Sequence, residues 1–492
     1  MSAKLIYKDV APGADTDATV SSSIAQSFCN PALLPLDAEM PKIATLEPNM
    51  WLLSGDYEIL NGQSIPFWST AMSDESGNFV VAPSYEVNFD NQYTTLGIYL
   101  RFSPSTEDYC TLVKIEWFQG ETLLSTKDFT PTGFSYFCAN TVTAFNKVVI
   151  YFNATSKPYR YARTDQILFG LVREFLADEY SSIKILQEVD LISEAMAINT
   201  MQWSLTSKED IEFVFQLKQP IEAYNGNNLV GVFYITDGVK KLSARKYEIP
   251  CQDAIGVLDG NDFSATIYDG YSAVALINDI VGIDFEVEID NSFSATAVTG
   301  YIPDCTKREA LQQVLFAIGA LGDTSGSKKI RVYPLPSSSV TDIPDSRQYR
   351  GGDVETDSIV TAVKVTAHTY TAGSGSSGDD VISVNGTKYV HTTAVNSITN
   401  PNVTATDKQN IIPITEATLV SSSNVAAVAQ RVYDYYMRRD TLNTRIVVDD
   451  EKPGDYASIS SPWDTTIIGN IISMSLFLSN TTAADIKIKA VS

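Results

Sequence analysis

Few residues of this 492-residue chain belong to the types that do covalent chemistry: it has 2 His and 5 Cys. His368 and His391 flank the stretch Thr371–Asp380, TAGSGSSGDD. A catalytic histidine needs a group that orients it and a nucleophile that it activates. Ser374 and Ser376 lie nearby, but no strand-turn-helix pattern that would present a nucleophile surrounds them. By composition the stretch is a flexible loop. There is no P-loop and no G-x-G-x-x-G between a strand and a helix. Carboxylates are plentiful, and two of them can serve as acid and base in glycoside hydrolysis. Asp253 and Asp259 are one such pair, yet nothing in the text marks them as a site. Asp15 and Asp17 offer only part of a calcium loop, and the solvated-loop reading is preferred. Cys29, Cys110, Cys138, Cys251 and Cys305 are odd in number, widely spaced and without C-x-x-C, which reads as free thiols. No catalytic residue, metal or cofactor is expected, and the chain reads as non-enzymatic.

Binding is the better prospect. Trp51, Tyr57, Phe67, Trp68, Tyr93 and Tyr99 concentrate aromatic rings in the first third of the chain. Flat rings on a sandwich edge can hold sugar faces, and Trp51, Tyr57, Trp68 and Tyr93 are the candidates; burial in a core is the competing use. The 35 Lys+Arg against 59 Asp+Glu leave a net charge of −24. Such a chain is repelled by nucleic acid and by anionic membranes. A hydrophobic fraction of 44 % is ample for packed cores. The N-terminus lacks a secretory pattern, and no apolar run approaches the ~18 residues of a membrane span. Synthesis in a cytoplasm is expected. The sequons at Asn153, Asn385, Asn402 and Asn480 carry little weight without a secretory signal.

The elements that must position these residues are mostly strands. Ser84 to Phe89 and Leu96 to Phe102 alternate apolar and polar residues. Leu112 to Phe118, Gln119-Gly120 and Thr122 to Lys127 read as a hairpin. Val148 to Phe152 suits a buried strand. Ile183 to Val189, Trp203 to Leu205, Ile211 to Leu217, Leu229 to Thr236 and Lys246 to Ile249 continue the β pattern, with a turn at Asn225-Gly226. Three helices are expected. Ser272 to Ile280 is short. Thr306 to Leu321 opens on the capping box T-x-x-E and stops at Gly322. Asn424 to Arg439 is capped by Asn424. A hairpin around Asn385-Gly386 falls in a surface insertion, and Thr444 to Lys489 is β again. The fold class expected is mainly β, an N-terminal sandwich followed by β-barrel-like domains with a few helices.

From Leu171 onward, the ordered segments AINTMQWSL (197–205), FVFQLKQP (213–220), LVGVFYI (229–235), IPCQDAIGVLD (249–259), TKREALQQVLFAIGA (306–320), KPGD (452–455) and IIGNIISM (467–474) resemble the central hub proteins of phage tail tips and baseplates. The likeness is greatest to those of phages and tail-like particles of Gram-positive bacteria. It covers about two-thirds of the chain. KVVIYF (147–152), PYRY (158–161) and ILFG (167–170) resemble a galactose-binding-like jelly roll. The domain map is then an arm at 1–40, that sandwich at 41–170, a first hub β-barrel-like domain at 171–300, a helix-containing insertion at 301–345, and a second such domain at 346–492 with a surface insertion at 371–423.

The resemblance implies a homotrimer with two barrel-like domains per subunit. Its pseudo-sixfold ring would join the sixfold tail tube to a threefold tip around the channel for tape-measure protein and DNA. Distal-tail or tube, tape-measure and tip or fibre proteins are the implied partners, with a host glycan for the sandwich and the virion as location. Many relatives carry a C-terminal wall-cleaving or fibre region, whereas this sequence stops at Ser492, which puts lysin activity in doubt. A carbohydrate-binding adhesin and a cell-wall hydrolase are the alternatives.

Overall fold

A computed structural model describes residues 3–10, 14–35, 45, 47–48, 65–102, 108–208, 211, 215–282, 285–338, 340–404, 408–461, 463, 465–479 and 481–491. It divides into two compact units, Tyr7–Arg173 and Met1–Ile6 with Glu174–Ser492. The chain is mainly β, as its patterning implies.

In the smaller unit the main sheet rests on two long antiparallel strands, Ser84–Arg101 and Ser135–Thr155. Cys110–Gln119 adds to the second, and Thr122–Phe129 returns as the expected hairpin through Gly120, φ +56°. Alternation decides which side faces inward: Tyr85, Val87, Phe89, Ile98, Leu100 and Phe102 are all buried. Leu96 breaks the pattern and is 40 % exposed, because a bulge between Thr95 and Gly97 shifts the register. Gly97, at φ +154°, is required there; a Cβ would sit 2.4 Å from the Cys138 carbonyl oxygen. Phe67, Tyr85, Trp117, Phe145, Phe152 and Phe169 fill the core. Thr19–Ser22 pairs with Tyr85–Asn88, so this part of the expected arm belongs to the sheet.

The larger unit has one extended antiparallel sheet that draws on both ends of its sequence. Tyr180–Glu188 pairs on one side with Thr200–Thr206 and on the other with Thr466–Phe477, from Lys184↔Phe477 to Glu188↔Ser473. Thr200–Thr206 pairs with Lys246–Gln252, and Thr466–Phe477 pairs with Tyr456–Ser460 and Ala483–Ala490. The strand groups that the sequence map assigns to separate hub domains are thus one hydrogen-bonded sheet. Trp203 anchors it, with ring centroids 4.9 Å from Phe175 and 5.8 Å from Phe215. The expected strand Ile211–Leu217 is not one where it is described: Leu217–Lys218 is a turn with Lys218 at φ +61°, and Phe215 folds into the Trp203 cluster.

Helices Ala254–Asp259, Ala273–Val281 and Lys307–Ile318 share a second core through Leu258, Leu276, Ile277, Leu311, Val314 and Leu315. The capping box forms as read: the Glu309 N–H donates to Thr306 Oγ1 at 3.2 Å, and the Thr306 N–H donates to Glu309 at 2.9 Å. The helix ends before the expected Gly322, because Gly319 takes a left-handed conformation at φ +78°. A separate four-stranded sheet has the order Asp380–Val384, Thr387–Thr399, Ala362–Ala372, Ile411–Ile414. Helix Val425–Met437 covers it through Val428, Ala429 and Val432. Asn424 precedes that helix but its side chain does not cap it; the Asn424 side-chain oxygen Oδ1 accepts the Ser421 N–H instead.

Candidate functional site

Of the four aromatic candidates for sugar contact, Trp51 and Tyr57 lie outside the described residues. Trp68 is 5 % exposed. The Arg163 guanidinium lies 4.3 Å from its ring centroid, and Phe28 and Tyr161 meet it edge-on. Arg163 is in turn held by the buried carboxylate of Glu47. Trp68 is therefore a packing element with one face taken by a cation. Tyr93 is half-buried in a different cluster, and its hydroxyl donates to Asp17 at 2.9 Å. Trp68 and Tyr93 thus do not share a packing cluster.

The candidates for chemistry are likewise committed to local structure. The Asp17 carboxylate accepts from the Asn91 N–H, the Asn91 amide and the Tyr93 hydroxyl, so it is engaged within the protein. The Asn91 N–H holds it below the usual carboxylate range. Asp253 and Asp259 stand at opposite ends of one short helix. Asp253, 1 % exposed, caps it by accepting the Gly256 N–H at 3.1 Å and also accepts the Thr324 hydroxyl at 2.7 Å. Burial pushes its carboxyl up to about 7 against the pull of those bonds. Asp259 accepts from Arg308 Nε at 2.7 Å and from the Thr306 hydroxyl at 3.1 Å. The two carboxylates do not face one space. All five thiols are free, and burial raises each of them, that of Cys138 to about 12. Such thiols are poor nucleophiles. No group of three or more metal-ligating side chains occurs among the described residues.

One constellation escaped the sequence reading. Ala362–Ala372 pairs with Thr387–Thr399, which folds back on Asp380–Val384 through Asn385-Gly386 at φ +50° and +79°. Two successive positive φ values are what this two-residue hairpin turn requires. The register sets His391 opposite Tyr370 on one side and opposite Asp380 on the other, with His368 diagonal to it. His391 Nδ1 lies 2.7 Å from the Asp380 carboxylate, and His391 Nε2 lies 2.9 Å from His368 Nδ1. The two imidazole planes agree within 6° at a centroid distance of 5.2 Å, so the rings meet edge to edge. Tyr370 lies parallel to His391 at 4.8 Å. His368 is 5 % exposed and its Nε2 is buried without a hydrogen-bond partner. Burial lowers its pKa first, and the neighbouring His391 adds to that. Each ring thus has an orienting neighbour, yet no hydroxyl or thiol hydrogen-bonds to either ring among the described residues. The sequence separation of 23 residues hid the contact; only the strand register brings the rings together.

No helix among the described residues is long and apolar enough to cross a membrane. No protein-family model matches the sequence, and no curated protein matches it. Among solved structures, the chain is similar to the tail protein from Neisseria meningitidis MC58, with TM-score 0.45 and 14 % identity over 64 % of this chain and 93 % of that one. It is similar to the 43 kDa tail protein of prophage MuSo2 from Shewanella oneidensis, with TM-score 0.42 and 10 % identity over 64 % and 95 %. It is also similar to prophage tail protein gp18 from Listeria monocytogenes EGD-e, with TM-score 0.42 and 12 % identity over 65 % and 92 %. Scores below 0.5 at such identities supply no residue-to-residue correspondence for function.

Proposed function

We propose that this chain is a structural hub subunit of a phage tail tip or baseplate, or of a tail-like particle. In this reading three copies form a ring around the channel used by tape-measure protein and DNA. The ring joins a sixfold tube to a threefold tip, with distal-tail or tube proteins on one side and tip or fibre proteins on the other. One observation carries the reading. The hub-like segments, spread from residue 197 to 474, belong to one compact unit, and distant strands pair directly. MQWSL lies in a strand paired to the one that holds IPCQ; IIGNIISM lies in the strand that closes on Tyr180–Glu188. A sheet that links the two ends of the continuous segment Glu174–Ser492 suits a load-bearing ring better than a hinged enzyme.

Part of the −24 charge would line the ring's inner wall, so that phosphates slide past without adhering. We read the role as structural and not enzymatic; soluble fragments released from cell-wall material by the full chain would overturn that. The central test is native mass at micromolar concentration with electron microscopy of the same sample. Three times the 53.8 kDa chain mass together with ring-shaped particles is expected. A monodisperse monomer with no rings, or a ring with a neutral or basic lumen, would count against the reading.

A further inference from the structure

The chain's two histidines, placed far apart in the sequence, meet at the root of an exposed hairpin and share a hydrogen bond that constrains where protons can sit. With Asp380 ionised, His391 must carry its proton on Nδ1 to donate to it. His391 Nε2 is then an acceptor, and His368 must donate to it from Nδ1. That leaves a lone pair on the buried His368 Nε2, beside the Thr415 backbone, which favours its protonation. A first added proton can settle on His368 Nε2 and keep the bond between the rings. A second cannot be placed without setting two N–H groups against each other across 2.9 Å.

We propose that the Asp380–His391–His368 chain is an acid-operated latch: it ties the tip hairpin to the central strand at neutral pH and lets go when both rings are charged. Proton balance is simple, since solvent supplies both protons and no bond other than hydrogen bonds changes. The latch crosses three strands, because Asp380 opens Asp380–Val384, His391 lies in Thr387–Thr399 and His368 in Ala362–Ala372. Beyond its backbone ladder to Thr387–Thr399, the outer strand has little side-chain burial to hold it. Only Val384 of its residues is buried, and the loop before it, residues 373–379, is fully exposed. Segments with so few buried contacts open at low cost.

The other groups facing the rings do not release the latch in the same range. Tyr370, on the central strand, and Tyr301, on Ala297–Ile302, are both raised by burial and stay neutral. The Thr415 backbone and Glu416, beyond Ile411–Ile414, favour a charged His368. Burial and the neighbouring ring oppose them at His368. The sign follows: a histidine held below its ordinary pKa contributes stability above about 6.5 that is lost as pH falls through its folded value.

The test uses the full chain with histidine Cε1 isotope labelling, where two signals are expected for two residues. One should titrate below the ordinary range, and the two should be coupled. Hydrogen exchange, corrected for intrinsic rate, should show protection over 373–393 falling roughly tenfold or more between about pH 7.5 and 5, with 307–318 unchanged. His391→Gln, which keeps a donor and an acceptor but does not titrate, should abolish that pH dependence. Asp380→Asn, at an exposed side chain, is the second variant; it keeps an acceptor for His391 Nδ1 but removes the charge, and should move the loss of protection to lower pH. Two independent titrations at the ordinary value, a pH-dependent loss of protection that survives in His391→Gln, or one that does not move in Asp380→Asn would overturn the latch. Neither result bears on the trimer, which is read by mass.

Discussion

Polar residues that looked available for chemistry are mostly occupied in holding the fold. Asp253 is the clearest case. It is buried, caps a helix and accepts from Thr324, whose oxygen in turn accepts from the Asn199 amide at 3.2 Å. A carboxyl held near 7 binds its proton more tightly in the folded chain than in the unfolded one, where the value is about 3.9. The folded state therefore gains on acidification, and this group's contribution falls as pH rises from about 4 through about 7. Asp253→Asn keeps the capping oxygen and removes the charge. It is expected to raise the melting temperature at about pH 8 and to change it less at about pH 5, by thermal melts at both. A variant that melts lower at the higher pH would show that the charged form is the one the site is built to hold. Trp68 makes a similar point, since its ring is taken by Arg163 and not presented as a platform.

At the scale of elements, the end of the capped helix and the closing strand bear different loads. Thr306→Ala removes one half of the reciprocal cap and should cost about 1 kcal/mol, read from chemical denaturation of the full chain. Ser475 lies toward the C-terminal end of Thr466–Phe477, flanked on both sides, by Leu186 and by Asp485. Proline there removes an N–H and its ring disrupts a central strand. Ser475→Pro is therefore expected to abolish the larger unit's cooperative transition in calorimetry. A normal transition would mean that the Lys184–Glu188 pairing contributes little. The capping box was legible because its signal is local, two residues three apart. The pairing of residue 186 with residue 475 was not, because no local pattern encodes which distant strand lies alongside.

At the scale of the whole molecule, charge and β architecture must be reconciled with assembly. A chain of −24 self-associates against its own repulsion. If the ring forms, raising salt from about 20 to 200 mM should strengthen it by screening, since the Debye length falls to below ~10 Å. Duplex DNA at micromolar concentration should leave its sedimentation unchanged at either salt. Salt-induced dissociation would point to attractive ion pairs across the interfaces.

The sequence by itself determined the β class, the hairpins at Gly120 and Asn385-Gly386, the capped helix and the shortage of catalytic residue types. These follow from periodicity of two, from turn residues that tolerate positive φ, and from composition. Tertiary structure alone decided that Leu96 turns outward, that Ile211–Leu217 is no strand where described, and that the two hub-like strand groups form one sheet. It alone set His368 beside His391. Bulges, register and strand neighbours are chosen by the packing of segments hundreds of residues apart, and that choice has no local signature in the sequence.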